Sequence, residues 1–475
     1  MEPWHKHTAL IAIILWFDFL VVALPRSLMP ELFDQAYGKD AYRLLGLCET
    51  VRGLLIFVTA PSLGALSDVA GRKWLFIACI FGTAAPSVTL ALTPTIDLKP
   101  RLNIYFVVLA FSGLLASTFA LAFAHLSDYV PTASRSHAYG IAIGVGLGGA
   151  FMVGPGVGAW IARAYDTQTA FNLCLVLTII SAAITIVGIR DKPRRSGGGK
   201  GAAGADGGGV ASLSRREMWR RANPLASVGL VRSNPALYLL SGIVFLYYLA
   251  LWGFIASSLL YARRRFQLES SASAALLTCF GAASLLSQSI GLRYAQRVLS
   301  EPQITRRCLG CASAALAIYG FATQVWVLYP CYLLLGISVG GFACISSMAS
   351  QVVPATQVGE AQGVITSLKA LTEGLGPAAT AAALPWFEDT ALPGAPWVFS
   401  ALIIAGATAL CLKLEPVLQA SPHLRAKSKN GTHEMVALAS AASDAPSDGP
   451  TCESPMPSES EPESSQDLDA RQGRA

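Results

Sequence analysis

The chain has 475 residues, of which 53% are hydrophobic and only 13% are charged, and its formal net charge at neutral pH is +6. So much apolar surface cannot be buried in one water-soluble core, which excludes a soluble globular protein. A lipid bilayer is therefore expected to be the main solvent.

Apolar stretches long enough to span a membrane recur along the whole chain. Crossing the hydrocarbon layer as a helix takes about 20 mostly apolar residues. The fold class that follows is an all-α membrane protein with twelve transmembrane helices in two pseudo-symmetric six-helix bundles. The predicted spans are residues 8–29, 45–66, 74–93, 102–124, 138–162, 169–189, 236–260, 271–290, 308–329, 330–350, 361–386 and 395–412.

The composition between and beyond these spans predicts the domain plan. Lys and Arg in the short loops place both termini in the cytoplasm. The run Arg263–Arg265 opposes this orientation and is expected to face a pore mouth or an acidic partner. The C-terminal tail has too few large apolar residues to offset chain entropy, which predicts disorder. The segments are a short cytoplasmic N-terminus (1–7), the first bundle (8–189), a Gly-rich basic cytoplasmic linker (190–235), the second bundle (236–412) and a disordered cytoplasmic tail (413–475).

The two halves also repeat one another in sequence. Matched landmarks in the same order indicate parallel halves, and such halves place a substrate site at their shared face near the midplane. The landmarks are Ser127–Pro131 with Ser350–Pro354, Gly140 with Gly363, and Gly154-Pro155 with Gly376-Pro377, the last pair one position out of register.

The turn between the second and third spans reads GALSDVAGRK at residues 64–73. It resembles the signature loop of the major facilitator superfamily, in which glycines permit a tight turn and an aspartate caps the backbone or pairs with a cation. Asp128 and Arg135 resemble the second group of cytoplasmic charged residues in this family. Val69 stands where the family usually has a further arginine. The resemblance implies a cytoplasmic gate made of Gly64, Asp68, Gly71, Arg72, Lys73, Asp128 and Arg135.

In the fifth span, residues 150–159 read AFMVGPGVGA and are similar to the motif of proton-driven antiporters in that superfamily. A face of small residues and a proline that frees a backbone carbonyl favour close packing and hinging. The packing and hinge residues predicted from this motif and its repeat are Gly154, Pro155, Gly158, Gly376 and Pro377.

More narrowly, the chain resembles the hippocampus-abundant-transcript family and the tetracycline-resistance-like drug–proton antiporters. Asp18, in the run WFDF, stands where these proteins have an acidic residue in the first helix. Arg52 and Lys369 match places where the former family carries a basic residue. The resemblance implies the major facilitator fold and transport of a solute.

Charged residues inside the spans are the candidate site, because each costs at least about 2.5 kcal/mol and needs a partner, a wet cavity or a function. Asp18 lies about 15 Å along its helix, near the midplane, and is either the proton-binding carboxylate or part of a static ion pair. Lys369 and Glu373 are one turn apart and either neutralise each other or line the cavity. Glu49 and Arg52 are either an outer lining pair or include a snorkelling arginine.

Four further residues have two interpretations. Tyr247, Tyr248 and Trp252 in the seventh span form either a stacking surface for a flat organic solute or ordinary packing in the core or lipid belt. His125 is either a proton relay or a hydrogen-bonded interfacial side chain.

Three other motifs have the spacing of a known functional site but do not predict one here. The spacing of Cys308 and Cys311 suits a metal, but no second Cys/His pair accompanies it. The glycine-rich runs at 144–149 and 336–340 lie within spans and lack the strand that a phosphate loop or nucleophile elbow requires. We therefore expect no cofactor, no metal, no nucleic-acid partner and no enzymatic activity.

The predicted function is secondary active transport of a small organic solute by alternating access, through proton-coupled antiport. The partners are the bilayer, the solute and protons, and the protein is expected to be a multi-pass monomer. One alternative is facilitated uniport or symport of a sugar-like or anionic metabolite. An alternative of another class is a non-transporting receptor or adaptor on the same fold.

Overall fold

The computed structural model describes residues 3–131, 135–189, 228–353 and 358–420. Within these ranges the description leaves out some side chains, among them those of residues 64–70, 127–128 and 135–137. The predicted linker, up to residue 227, and the tail from residue 421 lie outside the described residues. All regular structure in the described ranges is helical.

The first half consists of nine described α-helices. Asp166 begins the last of them as an N-cap whose carboxylate accepts the Thr169 N–H at 2.6 Å, as short polar side chains do at helix starts. A wider π-helical segment, Gly144–Gly149, joins two helices into one span. The helices are α1 Pro3–Arg26, α2 Met29–Tyr37, α3 Ala41–Ala70, α4 Arg72–Leu92, α5 Leu98–Ser112, α6 Thr118–Tyr129, α7 Arg135–Ile143, α8 Ala150–Ala164 and α9 Thr167–Gly188.

The second half also consists of nine described α-helices. Asn234 caps its longest helix by accepting the N–H groups of Ala236 and Leu237, and Pro235 occupies the first helical position. A second π-helical segment, Ser287–Gly291, continues a span without a break. The helices are α10 Val228–Ser233, α11 Pro235–Phe266, α12 Ser270–Leu286, α13 Leu292–Val298, α14 Glu301–Gly320, α15 Leu328–Ser338, α16 Gly341–Gln351, α17 Val358–Phe387 and α18 Ala395–Ala420.

Eight helical stretches of the described part are long and apolar enough to cross a membrane. They coincide with the predicted spans one, three, five, six, seven, eight, ten and twelve. The remaining four predicted spans coincide with α3, the pair α5 and α6, α14, and α17, which carry charged side chains or are interrupted. The count of twelve spans therefore stays a prediction.

Two predicted spans are interrupted near their middle, and a third, predicted at 308–329, extends beyond the end of α14 at Gly320 to the start of α15 at Leu328. The span predicted at 102–124 leaves the helix after Ser112 and resumes at Thr118, and the span predicted at 330–350 breaks between Ser338 and Gly341. At the first break Gly113 allows a close approach of α3, because a Cβ there would lie 2.2 Å from the Arg52 carbonyl oxygen. The helices that follow the two breaks start at Thr118 and Gly341, which are 223 positions apart. The repeated sequence landmarks have the same offset.

Helix ends differ from the predicted boundaries at both termini of the helical part. α1 begins at Pro3, so the predicted cytoplasmic N-terminus is largely helical. α18 continues to Ala420, past the predicted start of the tail at residue 413. Leu414 and Leu418 explain the extension, because both are buried one helical turn apart against the core.

Small residues hold the fifth and eleventh predicted spans against their neighbours. A Cβ on Gly158 would lie 2.1 Å from the Leu24 carbonyl oxygen of α1. A Cβ on Gly376 would lie 2.5 Å from the Leu249 carbonyl oxygen of α11. The same helix pair is therefore closely packed in each half, fifth on first and eleventh on seventh.

We expect the substitution Gly158→Ala to destabilise the protein by about 1–3 kcal/mol, because the new methyl group meets backbone that cannot move independently. The melting temperature of the purified protein in detergent measures this loss. Gly310→Ala in α14 is the matched control, since a Cβ there has no neighbour within 4 Å. Equal melting temperatures for the two variants would contradict the packing argument.

Candidate functional site

Helices α3 and α17 cross so closely that their backbones touch. A Cβ on Gly53 would lie 2.1 Å from the Gly374 backbone nitrogen, and a Cβ on Gly46 would lie 2.2 Å from the Ala381 Cβ. Glycine at these positions allows the two halves to meet without intervening side chains. The crossing brings the charged residues that flank it in sequence into contact.

Arg52 is bound by two carboxylates, one from each half. Its Nη1 lies 2.9 Å from Glu373 Oε1 and 3.2 Å from Glu49 Oε2. The three side chains are largely buried, with exposures of 22% for Arg52, 9% for Glu49 and 14% for Glu373. Arg52 is therefore held in an ion-pair network and does not snorkel to an interface.

Lys369 does not pair with Glu373, although the one-turn spacing allowed it. Among the ion pairs of the described residues, Glu373 is bound by Arg52, which is 321 residues away in sequence. The local interpretation fails because the Lys369 side chain turns toward aromatic rings instead. Its Nζ lies 4.8 Å from the Phe342 ring centroid, 5.2 Å from that of Tyr248 and 5.8 Å from that of Phe119.

Phe119 and Phe342 occupy equivalent positions in the two halves. Each is the second residue of its helix, α6 or α16, and they are separated by the 223-position offset of the repeat. The Lys369 ammonium makes no hydrogen bond or ion pair with any described residue. Cation–π contacts with desolvated rings stabilise an ammonium by about 2 kcal/mol, but they provide no acceptors for its three N–H donors.

Asp18 is buried in the first half, with 1% of its surface exposed. Neither carboxylate oxygen accepts a hydrogen bond from a described residue, and none of the described ion pairs includes it. The hydroxyl of Thr118 lies beside the carboxylate but not in hydrogen-bonding geometry. Asp18 therefore neither faces lipid nor forms the static ion pair considered above.

A cavity of about 90 Å³ lies between α11 and the helices α1 to α5 of the first half. It has room for about three water molecules, and is much smaller than a site for a drug-sized ligand. Asp18 does not line this cavity, whereas the predicted lining pair does. The polar lining residues are Arg26, Glu49, Arg52, Thr83, Ser87, Tyr105 and Ser112.

The arginine run at the end of α11 finds acidic partners within the chain. Arg264 Nε lies 3.0 Å from Asp34 Oδ1, and its Nη1 lies 3.2 Å from Glu388 Oε1. Arg263 Nη2 lies 3.4 Å from Glu31 Oε1. These contacts tie α2 of the first half to the ends of α11 and α17 in the second half.

The three aromatic residues of the seventh span have different environments. Tyr247 is fully buried and its hydroxyl lies 3.1 Å from Ser338 Oγ, so it belongs to the core. Tyr248 faces Lys369. Trp252 is half-buried, and its indole nitrogen has no hydrogen-bond partner among the described residues. The ring centroids of Tyr247 and Tyr248 lie 4.9 Å apart and those of Tyr248 and Trp252 lie 6.4 Å apart, so the three rings are contiguous, with Tyr247 at the buried end.

The gate residues are described only in part. Gly71 joins α3 to α4 with φ +96°, the left-handed region that favours glycine. Arg72 and Lys73 begin α4. The side chains of Asp68, Asp128 and Arg135, like Gly64, lie outside the described part, so the gate stays a prediction.

His125 and the remaining packing residues have defined surroundings. His125 is 2% exposed and packs against the rings of Tyr129 and His7. A Cβ on Gly154 would lie 3.0 Å from the Ala23 Cβ. Two prolines accept hydrogen bonds at their carbonyl oxygens, Pro155 from Ser27 and Pro377 from Thr380.

The model of the Major Facilitator Superfamily matches residues 11–377. The chain belongs to this superfamily. Members are membrane transporters of small molecules and not enzymes, so the chain is a multi-pass membrane protein with the helical fold of that superfamily.

Individual relatives agree with the predicted resemblance, which is thereby confirmed. The chain is 28% identical over 367 residues to Hippocampus abundant transcript 1 protein of Homo sapiens, covering 77% of this chain and 71% of that protein. It is 24% identical over 381 residues to Tetracycline resistance protein, class C, of Escherichia coli, covering 78% and 88%. The fold is similar to that of the human organic anion transporter MFSD10 (TETRAN), with TM-score 0.66, 19% identity, and coverage of 86% and 100%.

The residues that the sequence interpretation missed are Thr83, Thr118, Phe119, Phe342 and Arg26. The two phenylalanines had a signal, since the offset of the repeat relates them. Thr83, Thr118 and Arg26 had none, because their importance depends on which helices enclose the cavity.

We expect Arg52→Gln to destabilise the protein by about 3–5 kcal/mol, because it leaves two buried carboxylates without their cation. The melting temperature in detergent measures this. Adding Glu373→Gln to Arg52→Gln should recover part of the loss, since one uncompensated charge is then removed.

Lys39→Gln provides the matched control. Lys39 pairs with Asp389 at 3.2 Å, but both side chains are at least three-quarters exposed, so its loss should cost at most about 1 kcal/mol. A double variant no more stable than Arg52→Gln alone would contradict the assignment of Arg52 as the shared cation.

Proposed function

We propose that this chain is a secondary active transporter with twelve membrane helices in two six-helix halves. It moves a small organic solute by alternating access and exchanges it for protons. The single observation that carries the proton coupling is Asp18, a buried carboxylate without a hydrogen-bond or ion-pair partner among the described residues. Ionisable groups inside a membrane are costly, and proton relays are a recurrent reason for retaining them.

Alternating access requires contacts that form at one end of the molecule and break at the other. With both termini in the cytoplasm, the Arg264 contacts with Asp34 and Glu388 lie at the non-cytoplasmic end and hold it closed. The loop at residues 64–73 belongs to the opposite gate. The Arg52–Glu373 pair links the halves between these ends.

Outward transport of a drug-like solute is the proposal that the relatives named tetracycline resistance proteins support. The aromatic surroundings of Lys369 suit such a solute, since flat molecules stack on Tyr248, Phe119 and Phe342. The solute contacts are therefore assigned to Lys369 and the three rings around it, which come from both halves.

We expect Asp18→Asn to abolish solute accumulation driven by a pH gradient while solute exchange without a gradient persists. Asparagine keeps the size of the side chain but neither binds nor releases the proton. The assay uses proteoliposomes with an internal pH dye, and a solute that a thermal-shift screen has first identified by ligand stabilisation.

Asp166→Asn is the matched control, because Asp166 is an exposed cap of α9 and asparagine is an equally good cap. It should transport like the natural protein. Gradient-driven accumulation that survives Asp18→Asn would exclude Asp18 as the coupling group.

A second candidate function is facilitated uniport or symport of an anionic metabolite. It is favoured by the half-buried Lys369, whose ammonium has three donors and no hydrogen-bond acceptor among the described residues. An acidic group on the solute would supply that acceptor. The similar fold of a protein named as an organic anion transporter is consistent with this choice.

We expect Lys369→Gln to weaken binding of an anionic solute about tenfold or more, because hydrogen bonds to a charged group contribute about 1.5–3 kcal/mol. Isothermal titration of the solute from the thermal-shift screen, and of its uncharged amide analogue, measures the loss. The amide should bind both proteins with similar affinity.

Lys413→Gln on the exposed face of α18 is the control and should bind both compounds normally. Two results decide between the candidates. If Lys369→Gln binds the acid as tightly as the natural protein does, the anionic solute is excluded. If transport of the acid requires Lys369 but not Asp18, uniport replaces proton antiport.

A further inference from the structure

The isolation of Asp18 raises the question of how a proton reaches it. Its carboxylate is 1% exposed and does not line the cavity. No charged side chain of the described residues forms an ion pair with it. The groups that interact with the Asp18 carboxylate are Cys79 of α4 and Thr118 of α6. The segment Gly144–Gly149, which has no titratable side chain, packs against Leu15 and Trp16 of the same helix as Asp18.

Two threonine hydroxyls connect this buried site to the cavity. Thr118 lies beside the Asp18 carboxylate, and its Oγ1 is 3.3 Å from Thr83 Oγ1. Either oxygen of this pair can be the donor. Thr83 also lines the cavity that contains Glu49 and Arg52. The order of groups is therefore cavity, Thr83, Thr118 and Asp18.

These two hydroxyls differ from those of most helical threonines in the chain. A threonine in a helix usually donates to the carbonyl four residues earlier. Thr89, Thr178 and Thr408 do so, at 2.7 to 2.8 Å. Among the described residues, Thr83 and Thr118 instead have each other as their hydrogen-bond partner.

The break in the fourth span explains why the Thr118 hydroxyl is available. Thr118 is the first residue of α6, so the residue four positions earlier, Leu114, lies in the non-helical segment. Its hydroxyl therefore has no helical carbonyl in the usual position. The break therefore places the Thr118 hydroxyl beside Asp18 and leaves it able to bond to Thr83 instead of to a helical carbonyl.

We propose that Thr83 and Thr118 form the proton path between the cavity and Asp18. A proton from cavity water is taken up by Thr83 Oγ1, which releases its own proton to Thr118 Oγ1. Rotation of the Thr118 or Asp18 side chain then brings the neighbouring hydroxyl and carboxylate into hydrogen-bonding geometry, and Thr118 releases its proton to a carboxylate oxygen of Asp18. Unloading follows the same steps in reverse, and rotation of the two hydroxyls restores the starting arrangement. This path rests on the proposed function, in which Asp18 is the proton-binding group.

Time-resolved infrared spectroscopy after a pH jump tests the path without a solute. The probe is the proton itself, and the full-length protein in detergent is used. The carbonyl stretch of a protonated carboxylic acid that disappears in Asp18→Asn is assigned to Asp18. Its rate of appearance reports proton delivery, and its final amplitude reports the equilibrium.

We expect Thr83→Val and Thr118→Val each to slow the Asp18 signal about tenfold or more, as for the loss of a proton-transfer group. The final amplitude should stay the same. Thr83→Ser and Thr118→Ser retain a hydroxyl and should keep the natural rate. Thr89→Val in α4 is the matched control, since its hydroxyl bonds only to the Ala85 carbonyl among the described residues.

The possible results separate the path from the proposed function. Natural rates in both valine variants would overturn the path and leave Asp18 as the coupling group. An Asp18 signal that does not respond to pH in the natural protein would overturn both. If Thr118→Val does not fold, as judged by its melting profile, Thr83→Val at the cavity wall decides the question alone.

Discussion

The contact between the α3 and α17 backbones is the constraint on which the rest of the site depends. Because Gly53 and Gly374 lack side chains, the two halves approach closely enough for Arg52 to reach Glu373 at 2.9 Å. A buried guanidinium between two carboxylates offsets part of the cost of removing three charges from water. Any relative movement of the halves near this point must therefore preserve or replace a buried ion pair, which makes the crossing a natural pivot.

The two halves have helix breaks at equivalent positions but differ in the charged side chains near them. The fourth and tenth predicted spans are both interrupted, and both resume with a phenylalanine in second position, Phe119 or Phe342. The two rings flank one ammonium, that of Lys369. The position equivalent to Lys369 in the first half is Gly146, which packs against Leu15 of α1. The repeat thus supplies a symmetric aromatic setting for a cation that only the second half provides.

The sequence predicted features set by local composition and missed those set by contacts between distant helices. Apolar length fixed the existence of most helices, and the glycine of the turn at Gly71 followed from the tight connection it makes. The apolar run around Gly113 looked continuous, and its composition showed neither the end of α5 at Ser112 nor the contact of Gly113 with the Arg52 carbonyl of another helix. The spacing of Lys369 and Glu373 allowed a local pair, but the cation that binds Glu373 is Arg52, which comes from the other half of the chain.

The first turn of α6 connects the proposed proton site to the proposed solute site. Thr118 lies beside Asp18, and the next residue, Phe119, faces Lys369. The Phe119 ring also packs 4.6 Å from the ring of Phe19, which follows Asp18 in α1. At the equivalent position of α16 stands Gly341, which has no hydroxyl, so this position of the second half has no counterpart to the proposed role of Thr118. A shift of this one turn changes both the aromatic wall of Lys369 and the hydroxyl next to Asp18, so proton loading and solute binding can influence each other without direct contact.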